Sequence, residues 1–265
     1  MRTIRLVCRL EMIRRAPTPA LRGHVSSYYG FREETPAPVR RREGPGADVV
    51  VIISFGEEWL IDDERLTSFA AGLHEVQVTT EHAGQAYGMQ VNLAPPAAYM
   101  LFGLPLDELA HREVPLEDVL REPSLEERLS DELNWSARFE LLDAVLTRRL
   151  ADAQAPTAGV VWAWERLCET HGRVPVGKLA EELGWSRRRL VERFREQIGL
   201  PPKSVARLLR FEHARELAER SDRPSWAEIA FECGYYDQSH LIHDFRAVTG
   251  RTPVTFFQDN AAAAA

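Results

Sequence analysis

Cysteine is scarce in this chain. Its 265 residues hold three, Cys8, Cys168 and Cys233, far apart and with no CxxC pair. That spacing excludes a disulfide framework and a cysteine-based zinc site, and the three thiols are expected to be reduced and buried. Long apolar runs are missing too: nothing approaches the roughly 18 consecutive residues that a membrane-spanning helix needs. The opening MRTIRLVCRLEMIRR has only short apolar stretches, broken by Arg5, Arg9 and Glu11, which suits neither a membrane span nor a signal peptide. A cytoplasmic chain without a membrane partner is the expectation, and Met12 is an alternative start. There is no GxSxG elbow, no Walker-type glycine loop and no paired acid/base motif. No catalytic residue is therefore assigned, and neither an enzyme, a cofactor nor a metal is expected.

What is present is an ordinary globular composition, 45% hydrophobic, in a length that favours two domains. The net charge of −7 argues at face value against a polyanionic partner, but its distribution does not. Residues 158–257 carry 16 Lys/Arg against 14 Asp/Glu, and within 187–223 the balance is 11 against 6. Residues 1–157 carry 17 against 25. An acidic half is thus joined to one with a local basic stripe, the asymmetry expected when one part of a chain approaches nucleic acid.

Residues 1–47 read as irregular, interrupted by Pro17, Pro19, Pro36, Pro38 and Gly44-Pro45-Gly46. Residues 48–93 read as strands: DVVVIISF, EWLID, RLTSFA, LHEVQVTT and AYGMQVNL, separated by glycine-bearing turns. HEVQVTT alternates, as a strand with one wet face does. Pro95-Pro96 open a helix that runs to Phe102 and is closed by Gly103 and Pro105, and short helical pieces follow to about residue 133. Over Trp135–Leu150, residues Phe139, Leu142, Val145, Leu146 and Leu150 recur at helical spacing, a stripe that suits either this chain's own core or a second copy. The segment ADAQAPTAG is small, polar and Pro/Gly-bearing, and divides the chain into 1–150, a linker 151–159, a helical domain 160–257 and a tail 258–265. The expected class is α+β: a small β-barrel with helices, then an all-α domain.

Two segments of the helical domain share one grammar. In residues 176–199, Val176, Leu179, Ala180 and Leu183 form a short inward face, Gly184 makes a tight turn, Ser186 caps the next helix, and Leu190, Phe194 and Ile198 anchor it. In residues 226–250, Ile229 and Ala230 take the inward places, Gly234 the turn, Asp237 the cap, and Leu241, Phe245 and Val248 the anchors. This is a helix-turn-helix written twice. Between the copies, Pro201-Pro202 start a helix whose apolar face is Val205, Leu208, Leu209, Ala214 and Leu217, with Lys203, Arg207, Arg210 and Arg215 around the rest. A solvated charged surface accounts for some of those arginines.

With Leu190 and Phe194 inward, the outward face of the first second-helix holds Arg188, Glu192 and Arg195, flanked by Arg187 and Arg189 next to the cap Ser186. Arginine suits bidentate contact to guanine, and a carboxylate can accept from cytosine. Glu192 either reads a base or orients Arg188 or Arg195 through helical pairing, and the orienting role is preferred. In the second unit the same wheel exposes Ser239, His243 and Arg246, with His240 at the edge. Neutral histidine releases few counterions, so the first unit is expected to dominate affinity.

These residues also carry a resemblance. The stretch IAFECGYYDQSHLIHDFRAVTGRTPVTFF, through Ile229, Ala230, Cys233, Gly234, Tyr235, Ser239, His240, Phe245, Arg246, Gly250, Thr252 and Pro253, resembles the AraC family of transcription regulators, as do LAEELGWSRRRLVERFREQIG and RFEHAREL. The resemblance covers about a hundred residues. It implies two helix-turn-helix subdomains on one linker helix, each placing a recognition helix in one of two adjacent major grooves about 34 Å apart. Double-stranded DNA, a second copy of the chain and, for an activator, RNA polymerase are the implied partners.

For the acidic half the resemblance implies a sensor. QVNLAPPAAYMLFGLPLDELAHREVPLEDVL is similar to the N-terminal halves of a poorly characterised branch of the same family, and names no ligand. Metal-dependent cupin barrels use an HxH…E…H ligand set that His24, His74, His82 and His111 do not reproduce, so these histidines read as structural or surface residues. Aromatics that could line an effector pocket are Trp59, Phe69, Tyr87 and Tyr99. The alternatives are control by protein contact alone, an enzyme on the N-terminal barrel, and an alkyl-transfer repair protein. The last needs a cysteine cluster that the lone Cys8 does not supply.

Overall fold

The computed structural model describes residues 9–220 and 224–263. Cys8, residues 221–223 of the basic stretch and the last two alanines lie outside the described residues. The chain is α+β, a sheet-rich N-terminal part followed by helices. Among the described residues, ten strands form two sheets rather than a single closed barrel. These are β1 (Arg9–Arg15), β2 (Val25–Glu34), β3 (Val39–Glu43), β4 (Val49–Ser54), β5 (Trp59–Ile61), β6 (Glu64–Leu66), β7 (Phe69–Ala71), β8 (Val78–His82), β9 (Gln85–Leu93) and β10 (Glu113–Pro115). The six-stranded sheet has the order β1-β2-β9-β4-β7-β10 and the four-stranded sheet β3-β8-β5-β6. All recorded pairings are antiparallel, as chain segments joined by short turns favour.

Residues 1–47, expected to be irregular, contribute three strands instead. The prolines fall between strands rather than within them: Pro17 and Pro19 lie between β1 and β2, and Pro36 and Pro38 between β2 and β3. β2 is paired on both edges, with β1 from Arg15↔Tyr28 to Arg9↔Glu34 and with β9 along its length. Such pairing is non-local, and the local pattern of Pro and Gly does not reveal it.

The pleat divides the apolar residues of the larger sheet between two cores. On β4, Val49, Val51 and Ile53 face the helices, whereas Val50 and Ile52 face the four-stranded sheet with Phe31, Ile61, Leu66 and Phe69. On the helical side lie α1 (Pro95–Phe102), α2 (Leu116–Val119), α3 (Leu125–Asp131) and α4 (Trp135–Ala151). α1 ends on Gly103 in the left-handed conformation. Phe139, Leu142, Val145 and Leu146 of α4 are buried within this chain's own core, and Leu150 packs at its edge.

Only residues 152–157 separate α4 from α5 (Ala158–Glu169). α6 (Val176–Glu182), α7 (Arg187–Ile198), α8 (Pro202–Glu219), α9 (Trp226–Glu232), α10 (Gln238–Thr249) and α11 (Pro253–Ala263) follow. The core on the helical side of the sheet continues without a break into α5, α7 and the start of α8, through Val160, Leu190, Phe194, Ile198, Val205 and Leu208. Beyond that point a second, smaller core begins at Phe211 and takes in Ile229, Leu241, Phe245, Val248 and Phe256.

Candidate nucleic-acid interface

α6 and α7 form the first helix-turn-helix. Gly184 sits in the turn with φ +63, a conformation that costs a residue with a side chain about 1 kcal/mol or more. Ser186 then caps α7, its hydroxyl accepting from the Arg189 amide at 3.2 Å. Leu190, Phe194 and Ile198 are fully buried and fix the roll of the helix, which turns Arg187, Arg188, Arg189, Glu192 and Arg195 to solvent.

These side chains differ in how they are held. Arg188 donates through Nε to Glu192 at 2.7 Å, the orienting pair expected from the i,i+4 spacing. Arg189 stacks over Trp185 at 4.6 Å. Arg187 leans across α6, where a side chain at Gly177 would meet its guanidinium at 2.8 Å. Arg193, not among the expected contacts, is also exposed and pairs with Glu196 at 2.8 Å. Between Arg187 and Arg195 the helix thus exposes five arginines.

α9 and α10 repeat the arrangement. Gly234 has φ +74, and the Asp237 carboxylate accepts from the His240 amide at 2.8 Å. Leu241, Phe245 and Val248 are buried, leaving Ser239, His240, His243 and Arg246 exposed on α10. His240 lies edge-on to Tyr235 at 5.3 Å, and the His243 side chain is 82% exposed. Tyr236 (93%) and Phe231 (87%) are exposed beside the turn. Sequence alone does not single them out, because an aromatic near a turn glycine carries no periodic signal.

α8 joins the units, and its 18 residues span about 27 Å. Two of its arginines are engaged rather than solvated. Arg210 donates to the Gly172 carbonyl at 2.9 Å, pairs with Asp244 of α10 at 3.6 Å and lies over Tyr235 at 5.4 Å, so it ties the two units together. Arg207 reaches back to Glu75 of the sheet domain at 2.6 Å. The sheet domain grips the first unit elsewhere as well. α1 and the turn Leu106–Glu108 pack on α7; the connecting residue Thr157 exchanges hydrogen bonds of 2.9 and 3.0 Å with Gln197 of α7, and on α8 Glu212 accepts from the Ala47 amide at 2.9 Å.

In the sheet domain, a cavity of about 510 Å³ opens between the two sheets. Trp59 and Phe69 line it. Tyr87 and Tyr99 do not: Tyr87 points to the other face of β9, against Phe55 and Trp135, and Tyr99 packs into the helical-side core. His82 is buried and structural, its Nδ1 accepting from the Gly84 amide at 3.3 Å, which leaves Nε2–H to donate to Glu33 at 3.2 Å. Burial alone would raise Glu33, but Arg41 and His82 hold its pKa below the usual carboxylate range. His74 contacts Glu113 at 3.0 Å, and His111 is near Glu75 at 3.5 Å. Among the described residues no group of three or more metal-ligating side chains comes together. Cys168 and Cys233 are free, and burial pushes their thiols up to about 12 and about 11, which keeps them protonated. Among the described residues no helix is long and apolar enough to cross a membrane.

Two capped helix-turn-helix units on one connecting helix define a DNA-binding module. The family comparison agrees: a model described as a helix-turn-helix domain matches residues 179–259, and a domain of unknown function matches residues 13–115. The uncharacterized HTH-type transcriptional regulator YbfI of Bacillus subtilis is 33% identical over 93 residues, 35% of this chain and 33% of that protein. The HTH-type transcriptional activator RhaR of Escherichia coli K12 is 30% identical over 124 residues, 47% of this chain and 38% of that protein. The matches therefore span little more than a third of those relatives. Among solved structures, ToxT of Vibrio cholerae is 10% identical, covering 93% of this chain and 97% of its own with a TM-score of 0.47. The C-terminal region of the chain is a DNA-binding module of the AraC family.

Proposed function

We propose that the protein is a sequence-specific transcription regulator that reads two adjacent major grooves, and that its sheet domain controls it in response to a small molecule. The observation that carries this reading is the pair of helix-turn-helix units held on α8, each with its recognition helix capped, anchored and turned to solvent. Arg188 and Arg195 read guanine edges, Glu192 orients Arg188, and Ser186, Arg187 and Arg189 fix the register on phosphates. Ser239, His240, His243 and Arg246 make the second, weaker contact. The protein acts as a homodimer and not as an enzyme, and activation would add RNA polymerase as a partner. The cavity between the sheets supports small-molecule control over control by protein contact alone, since its volume suits a small ligand.

Selection of genomic fragments bound by the full chain at about 0.15 M salt, where non-specific binding is weakened, tests the reading. Recovered sites should hold paired half-motifs one helical turn apart. Fragments without a shared motif, with and without a cell extract of small molecules, would contradict it.

A further inference from the structure

The cavity between the sheets has a chemistry of its own. Phe31, Trp59 and Phe69 supply aromatic wall, and Ile52, Ile61 and Val78 supply aliphatic wall. Its polar lining is unbalanced. Arg41 donates to Glu33 at 2.7 Å, and His74 contacts Glu113 at 3.0 Å, so both lining bases already face a carboxylate. Two further carboxylates remain, Asp48 and Glu43. Asp48 accepts one hydrogen bond, from the Ser26 hydroxyl at 2.8 Å, and Glu43 a long one from Thr80 at 3.4 Å. An acid entering the cavity would meet four carboxylates, Glu33, Glu43, Asp48 and Glu113, and each of the two bases there already lies beside one of them. A positively charged head finds a carboxylate to pair with beside an apolar wall.

The rim of the cavity is built from the loops that hold α8. Gly46 and Asp48 line the cavity, and Ala47 between them donates its amide to Glu212. His74 and Val76 line it, and Glu75 between them holds Arg207. Both loops therefore show one side to the cavity and the other to the helix that carries the two reading heads.

We propose that this cavity binds a small apolar amine, its ammonium on Asp48 and its apolar body along Val50 and Ile52 on the same face of β4, and that occupancy reaches α8 through Ala47–Glu212 and Glu75–Arg207. This rests on the reading of the sheet domain as the controlling half. Burial pushes Asp48 up to about 6, which leaves it charged at neutral pH and able to receive an ammonium.

The test uses the full chain with 2-phenylethylamine and tryptamine as probes, and phenylacetate and 2-phenylethanol as the acid and neutral controls. Binding is followed by calorimetry, and DNA affinity is measured on a selected site. The amines should bind at least roughly tenfold more tightly than phenylacetate, a difference of about 1.4 kcal/mol. Asp48→Asn should remove that preference, and the exposed Glu43→Gln should weaken it without affecting folding. Glu75→Gln should leave amine binding in place but uncouple it from DNA affinity. Equal or tighter binding of phenylacetate, or no amine binding at millimolar concentration, overturns the proposal. In either case a motif recovered in the selection keeps the DNA-binding reading intact, and its absence removes that reading separately.

Discussion

The two helix-turn-helix units are built to one plan but supported differently. The first shares its core with the sheet domain: Leu190, Phe194 and Ile198 of α7 belong to the same apolar cluster as Val51, Leu93 and Leu101. The second is closed around its own small core, Phe211 to Phe256, and meets the rest of the molecule through α8, the Arg210–Asp244 pair and Arg173, which donates to the Glu232 carbonyl at 3.4 Å. Their surfaces differ in the same sense. The first recognition helix presents five exposed arginines, the second two histidines and one arginine. A duplicated motif has here become a fixed, strongly basic head and a more independent, weakly charged one. Direct contacts from the sheet domain fall on the first unit, whereas the second is joined through α8 and Arg173.

The two cores are told apart most forcefully by deleting one anchor from each. Phe194→Ala and Phe245→Ala each remove a fully buried phenyl ring, a loss of about 3–5 kcal/mol. Phe194→Ala should lower the melting temperature of the sheet domain together with the first unit. Phe245→Ala should melt the second unit alone and leave a folded remainder, which hydrogen exchange along the chain would show. Identical exchange patterns in the two variants would mean that the cores are not separate.

The junction between sheet domain and α8 gives a second, smaller effect. Burial, with the Asp48 charge as a lesser contribution, raises the Glu212 carboxyl from 4.5 to about 7. The docked state then binds a proton that the undocked state releases, so docking is strongest below about pH 4.5. It weakens as pH rises through about 7. Protection of the Ala47 amide against exchange, referred to intrinsic rates, should fall across that window, and Glu212→Gln should flatten the profile. A profile that keeps its shape in the variant would assign the dependence to another group.

Smallest are the caps. Ser186→Ala and Asp237→Ala should each cost about 1 kcal/mol. Because the first helix is also held by the shared core, Ser186→Ala should affect local exchange on α7 less than Asp237→Ala does on α10.

Much of the helical half was legible in sequence because its signals are local. Glycine turns, caps three residues from the amides they satisfy, and anchors at helical spacing all lie within one unit. The strands β1 to β3 were not legible, since their pairing is distant and the prolines between them mimic disorder. The cavity was legible in part. Trp59 and Phe69 line it, and Tyr87 could have been set aside by strand alternation, because Ala86 and Gln90 of β9 face the cavity and residue 87 must face away. The contacts that join the halves carried no sequence signal: Arg207–Glu75 and Ala47–Glu212 span 132 and 165 residues.

If the two reading heads are unequal, Arg188→Ala and His243→Ala will differ in binding to a selected site at fixed salt. Arg188→Ala should lose about 1–3 kcal/mol of binding and relax specificity in one half-motif, while His243→Ala should lose much less, in the other half-motif. A larger loss from His243→Ala, or losses confined to the same half-motif, would contradict the account.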